Sequence, residues 1–163
     1  MSYQGKKLFR IDLGVIHEPQ PCAEHAKATE AREAGYEPGC DACEATPERA
    51  VPVPHLAGFW VEVINPDLLS YGRKKEIYTP LPAEPSALDV QVRRERIVAG
   101  LVTAWNIEPV DTTDGEKPEV LPLPRNDASA LDRAPDIISF VLAGLGREQR
   151  RQGQAVPKAS ATP

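Results

Sequence analysis

Two stretches of this chain carry the same apolar spacing, and together they restrict the fold more than any other feature. Ile97, Val98, Leu101, Val102 and Trp105 recur at i, i+1, i+4, i+5 and i+8, and Ile137, Ile138, Val141, Leu142 and Leu145 repeat that pattern position for position. Side chains so spaced share one face of a 3.6-residue helix. The first stretch, 85–106, is expected to be a single helix with Gln91, Arg93, Arg94, Glu95 and Arg96 on its opposite face. Ser86 followed by Asp89 has the spacing at which two side chains reciprocally satisfy the free amides of a helix start. Gly100 costs such a helix about 1 kcal/mol relative to Ala, so a close neighbour is expected against that point. In the second stretch Pro135 suits a first helical position, with a short helical turn ahead of it.

Helices with matching stripes need a common core. Residues 7–15 alternate as a strand around Leu8, Ile11 and Leu13, and residues 57–64 alternate with Phe59, Val61 and Val63 on one side and Trp60, Glu62 and Ile64 on the other. Paired, they make a ribbon that is marginal in water until a helix covers it. The expected class is therefore α+β: a small two-stranded β-ribbon covered by two amphipathic helices, with an irregular Cys/His-containing insertion and a disordered C-terminal tail. The expected organisation is an N-terminal strand at 1–16, an acidic inserted arm at 17–56, a helical core at 57–146 and a tail at 147–163. Asn65-Pro66 marks a turn with a single helical turn after it, and the Pro-rich loop from Glu108 to Arg125 is expected to return Leu121 and Leu123 to the core.

Only 6% of the 163 residues are aromatic and 17 are proline, so the compact part is expected to be one modest domain. No run of 18 apolar residues exists and the first residues lack a signal-peptide core, from which a soluble, cytoplasmic protein with no membrane partner is expected. Charge is uneven. From His17 to Ala50 eight acids face three bases, an excess equal to the net charge of −5 of the whole chain. From Arg147 onward four bases face one acid. So short a basic stretch offers few phosphate contacts, and no nucleic acid is expected as a partner.

The arm holds all the cysteines, three in number and hence unsuited to a closed disulfide framework. Cys22-x2-His25, fourteen residues, and then Cys40-x2-Cys43 give two donor pairs at the spacing of a tetrahedral zinc site. An arm this acidic and poor in apolar residues lacks the means to fold by burial, and structural Zn2+ would organise it. His17 is an alternative to His25. Free surface thiols in a mobile arm and a redox Cys-x-x-Cys remain open at this point. Residues 22–35, rich in Ala and Glu, are expected to form a short solvated helix ending at Gly35, and Pro47, Pro52 and Pro54 to keep the return path extended.

No Ser/His or Cys/His catalytic constellation, phosphate-binding Gly loop or His-Glu-x-x-His motif is present, so the chain is not expected to be an enzyme. Asp111, Asp114 and Glu116 read as a solvated turn rather than an acid/base pair. Trp60 and Trp105 are candidates for partner binding, although core placement is the more usual fate of such residues.

The order FWVEVINPDLLSYGRKK, IVAGLVTAWNIEP and LPLPRNDASALDRAPDIISFV resembles the small tail assembly chaperones of long-tailed bacteriophages, particularly those of actinobacterial hosts. The resemblance runs from about 57 to 145 and rests on Trp60, Val61, Val63, Asn65, Pro66, Asp67, Ala104, Trp105, Leu121, Pro122, Leu123 and Pro124. It implies a non-enzymatic protein of the host cytoplasm that coats the tape-measure protein until tail-tube subunits polymerise around it, and it is compatible with a homo-oligomer. The acidic arm falls outside the pattern, which leaves two alternatives: a minor structural protein of the virion head or tail, and a zinc-stabilised adaptor for protein–protein interaction.

Overall fold

The protein is described by a computed structural model covering residues 6–28, 39–109, 115, 117 and 119–155. The chain divides into two compact units, one made of Met1–Leu13 with Gly58–Pro163 and the other of Gly14–Ala57.

The first unit is α+β. It opens with strand β1 (Leu8–Asp12), after which the chain passes through β2 (Val15–Glu18), α1 (Ala23–Ala28), α2 (Asp41–Ala45) and β3 (Arg49–Pro52) of the second. The first unit resumes with β4 (Trp60–Ile64), α3 (Tyr71–Ile77), α4 (Ala87–Leu101), β5 (Val102–Trp105) and α5 (Ile137–Ala155). As expected, β1 pairs antiparallel with β4, in the register Phe9 to Val63 and Ile11 to Val61. The sheet has three strands rather than the expected two, in the order β1-β4-β5. Its third strand is the end of the stretch read as helix: α4 stops at Leu101, and Val102–Trp105 pairs antiparallel with β4 through a bulge at Glu62/Val63. Val102 and Thr103 are β-branched and suit a pleated strand, and β4 offers them the backbone groups of an unpaired edge.

Phe9, Ile11, Val61, Val63, Val102 and Trp105 form the buried face of the sheet. Against it lie Ile97, Val98 and Leu101 of α4 and Ile137, Ile138, Val141 and Leu145 of α5, so both stripes turn inward. The start of α4 carries the expected reciprocal cap, with the Asp89 amide donating to Ser86 Oγ at 3.1 Å and the Ser86 amide to Asp89 Oδ2 at 2.8 Å. The neighbour anticipated at Gly100 is Ile77 of α3: a Cβ built on Gly100 would stand 2.7 Å from its Cγ1. Helix α3 was not foreseen. Its Ser70 Oγ accepts the Arg73 amide, and only Ile77 is buried, leaving no stripe to read.

The expected turn after Asn65 is a 3-10 turn at Pro66–Leu68, and that ahead of α5 lies at Ala128–Ala130. Leu121 is buried and Leu123 half-buried, as the Pro-rich loop required. Helix α5 begins at Ile137, two residues after Pro135, and corrects the expectation of a tail starting at 147 by continuing to Ala155. Gln152 explains the extension: its Oε1 accepts from the Asn65 side-chain amide at 3.1 Å. Residues 156–163 lie outside the described residues, as do Asp111, Asp114 and Glu116. Among the described residues no helix is long and apolar enough to cross a membrane.

Candidate metal centre

The 14–57 unit is closed at its base by β2 and β3, paired antiparallel with Val15 opposite Pro52 and Glu18 opposite Arg49. Arg49 Nη2 lies 2.8 Å from Glu18 Oε2 across that pair. The return path foreseen as merely extended is thus a strand, and the segment between β2 and β3 carries two short helices. Of the helix expected over 22–35, Ala23–Ala28 is helical, and 29–38 lie outside the described residues.

Each helix displays one donor pair. Cys22 stands directly before α1, with His25 one turn on. Cys40 is the residue preceding α2, in extended backbone, and Cys43 sits within that helix. Gly39 adopts φ +86°, a conformation that favours glycine, and its amide donates to Glu44 Oε1 at 3.1 Å, setting the entry into α2. Thr46 Oγ1 closes the other end on the Ala42 carbonyl at 2.8 Å.

The four donors of Cys22, His25, Cys40 and Cys43 all lie within 4.8 Å of one another. His25 Nδ1 stands 3.2 Å from Cys22 Sγ and 3.2 Å from Cys43 Sγ. The Cys22 amide donates to Cys43 Sγ at 3.3 Å, tying the first pair to the second. Donors about 2.0–2.3 Å from a zinc ion in a tetrahedron are roughly 3.3–3.8 Å apart, so the His25 distances are close to that edge and the wider pairs would draw in by up to about 1 Å to hold an ion. Its three cysteines are free of disulfides. Three sulfurs and one imidazole are a donor set that suits zinc among the common divalent ions.

Two of the four donors hold their protons more tightly than usual. The Cys22 side chain, and after it that of Cys43, raises the pKa of His25 above its ordinary value. At Cys40 the Cys43 amide pulls the thiol down most, but burial and the neighbouring Cys43 sulfur leave it raised overall. Protonation is therefore favoured at both His25 and Cys40, and a dication, which binds the thiolate and the neutral imidazole, would have to displace those protons. Four protein donors fill a tetrahedron and leave no position for a reacting water. Cys22 and Cys43 are enclosed, whereas His25 and Cys40 are half-buried.

The sequence-predicted quartet is thus brought together in full. His17, the alternative to His25, pairs with Ala50 in β2 and stands outside the cluster. The reading of Trp105 as a partner-binding residue is corrected: it is 7% exposed, and its indole Nε1 donates to the Leu121 carbonyl at 2.8 Å, which makes it part of the core. Trp60, on the opposite sheet face, is half-buried with the Arg10 guanidinium 4.2 Å above its ring centroid. Sequence reasoning missed the sulfur-accepting amide of Cys22 and the β2–β3 pair that brings the two ends of the unit together. The only signal for the latter was Val15 and Ile16 on one side of the arm and Val51 on the other.

No protein-family model, curated protein or solved structure matches the chain.

Proposed function

We propose that this chain is a non-catalytic protein-interaction protein whose 14–57 unit is organised by a structural zinc ion on Cys22, His25, Cys40 and Cys43. The convergence of four donors from two distant sequence pairs carries this reading. A closed, fully protein-ligated ion builds a scaffold rather than activating water, and zinc binding in finger-sized peptides is worth about 10–16 kcal/mol at neutral pH, ample to fold a unit of this size. Purified protein should contain about one equivalent of zinc, and Cys40→Ser should lose most of it. Cobalt substitution should give the thiolate charge-transfer and tetrahedral d–d absorption of a three-sulfur site. Protein that is metal-free after expression in zinc-supplied medium, and that fails to take up cobalt, would refute the assignment.

For the other unit we propose the role that the resemblance implies, a tail assembly chaperone that binds the tape-measure protein. Large apolar side chains left outside the core favour such a role: Leu88 is 70% and Val92 44% exposed one turn apart on α4, and Tyr71 of α3 is 78% exposed. The two matched stripes are occupied by the core, so a partner helix would use these side chains instead. Co-expression with the tape-measure protein of the same genome should keep that protein soluble, and Leu88→Glu should weaken the effect. Recovery of this chain from purified virions, with no effect on tape-measure solubility, would favour a minor virion component over a chaperone.

A further inference from the structure

The two units bury very different amounts of apolar material. Among the described residues of 14–57, the buried apolar and sulfur side chains are Cys22, Cys43, Val53 and Leu56, and two of these four are metal donors. The described residues of the other unit include twenty such side chains, from Phe9 to Leu145, and none is a donor. A segment of 44 residues lies close to the size below which a chain needs metal, disulfide or partner to fold. Among the described residues its helices have six and five residues, far short of independent stability, and its sheet has two strands. Both helices carry a donor pair, and the Cys22 amide on Cys43 Sγ joins the pairs, so the two helices, which cannot stand alone, meet at the donor cluster on the connection between β2 and β3.

From this we infer that zinc acts as a conditional latch for the 14–57 unit: the unit holds its fold only while the ion is bound, and the sheet-and-helix unit keeps its own fold in either state. The inference rests on the zinc reading and adds to it the regulation of that site. His25 and Cys40 leave the cluster half-open to solvent, so a competing chelator reaches the ion without disturbing the enclosed side of the site. The state of the arm then follows the free zinc concentration, and any partner that recognises its folded surface is bound only when zinc is available.

Amide hydrogen exchange on the full chain tests this, with zinc loaded, with zinc stripped by a chelator and dialysed away, and in Cys40→Ser. Stripping should reduce protection at 15–18 and 49–52 by at least about tenfold while leaving 61–63 and 137–145 unchanged. Zinc, but not magnesium, should restore it, and Cys40→Ser should match the stripped pattern. If zinc binds stoichiometrically yet protection at 15–18 and 49–52 is the same with and without it, the latch is wrong and the zinc site stands. If no zinc binds, both fall. Loss of protection across 61–63 and 137–145 on stripping would overturn the latch as well, because the two units would then not be independent.

Discussion

Asn65 is the only buried polar side chain among the described residues, and it joins three separate parts of the first unit. Its Oδ1 accepts the Asp67 amide at 3.0 Å, and its Nδ2 donates to the Lys6 carbonyl at 3.0 Å and to Gln152 Oε1 at 3.1 Å. Asn65→Ala would remove three part-buried hydrogen bonds at once, and should lower unfolding stability by about 1–3 kcal/mol in denaturant titration. Trp105→Phe retains most of the packing but orphans the Leu121 carbonyl, with an expected loss of comparable size, about 1–3 kcal/mol. At the start of α4 the bonds from Ser86 hold the Asp89 carboxyl below its ordinary value of 3.8. A group whose folded pKa is depressed contributes stability above its unfolded value and loses it as pH falls through the folded one. Ser86→Ala should therefore lower Tm at neutral pH and flatten its decline below the ordinary carboxylate value. An unchanged acid limb in the variant would show that the cap contributes nothing to acid sensitivity.

At the level of elements, the close approaches of the helices to their neighbours are the most testable feature. A methyl at Gly100 would press on Ile77, and one at Gly144 would press on the side chain of Ile11. Alanine normally favours a helix by about 1 kcal/mol over glycine. Here overpacking by about 1–3 kcal/mol should outweigh that gain, and thermal melts of Gly100→Ala and Gly144→Ala should both shift downward; a stabilised Gly144→Ala would show that α5 stands further from β1. Both helices, the β1–β4 pair and the metal quartet were legible because each is written in local spacing. The end of α4 was not, because Val102 and Trp105 stand at helical spacing, and only the bulge against Glu62/Val63 brings residues three apart to one face of a strand. Helix α3 has one buried residue and no period. The last turns of α5 are polar and unstriped, and they are tied by a bond that Gln152 accepts from Asn65, 87 positions away, which no local pattern announces.

For the molecule as a whole, the first unit is interrupted by the second at a place prepared for the interruption. The Leu13 amide donates to the Phe59 carbonyl at 2.9 Å, so the chain leaves and re-enters at adjacent points of one β-ladder. Replacing 14–57 by a two-residue Asn-Gly turn, which suits a tight antiparallel connection, should give a folded core whose Tm lies within a few degrees of the full chain; failure of that shortened protein to fold would mean that the core depends on the inserted unit. The same substitution removes every cysteine and the acidic excess of 17–50. The direct hand-over from α4 to β5 has the opposite character. No residue separates Leu101 from Val102, so the rotation of the rod and the facing of the ribbon are one variable. A helix advances about 100° per residue whereas a strand alternates sides. A single insertion at this junction would therefore turn either Leu101 or Trp105 out into water, and evolution can lengthen this protein at its ladder ends far more freely than at its hinge-free centre.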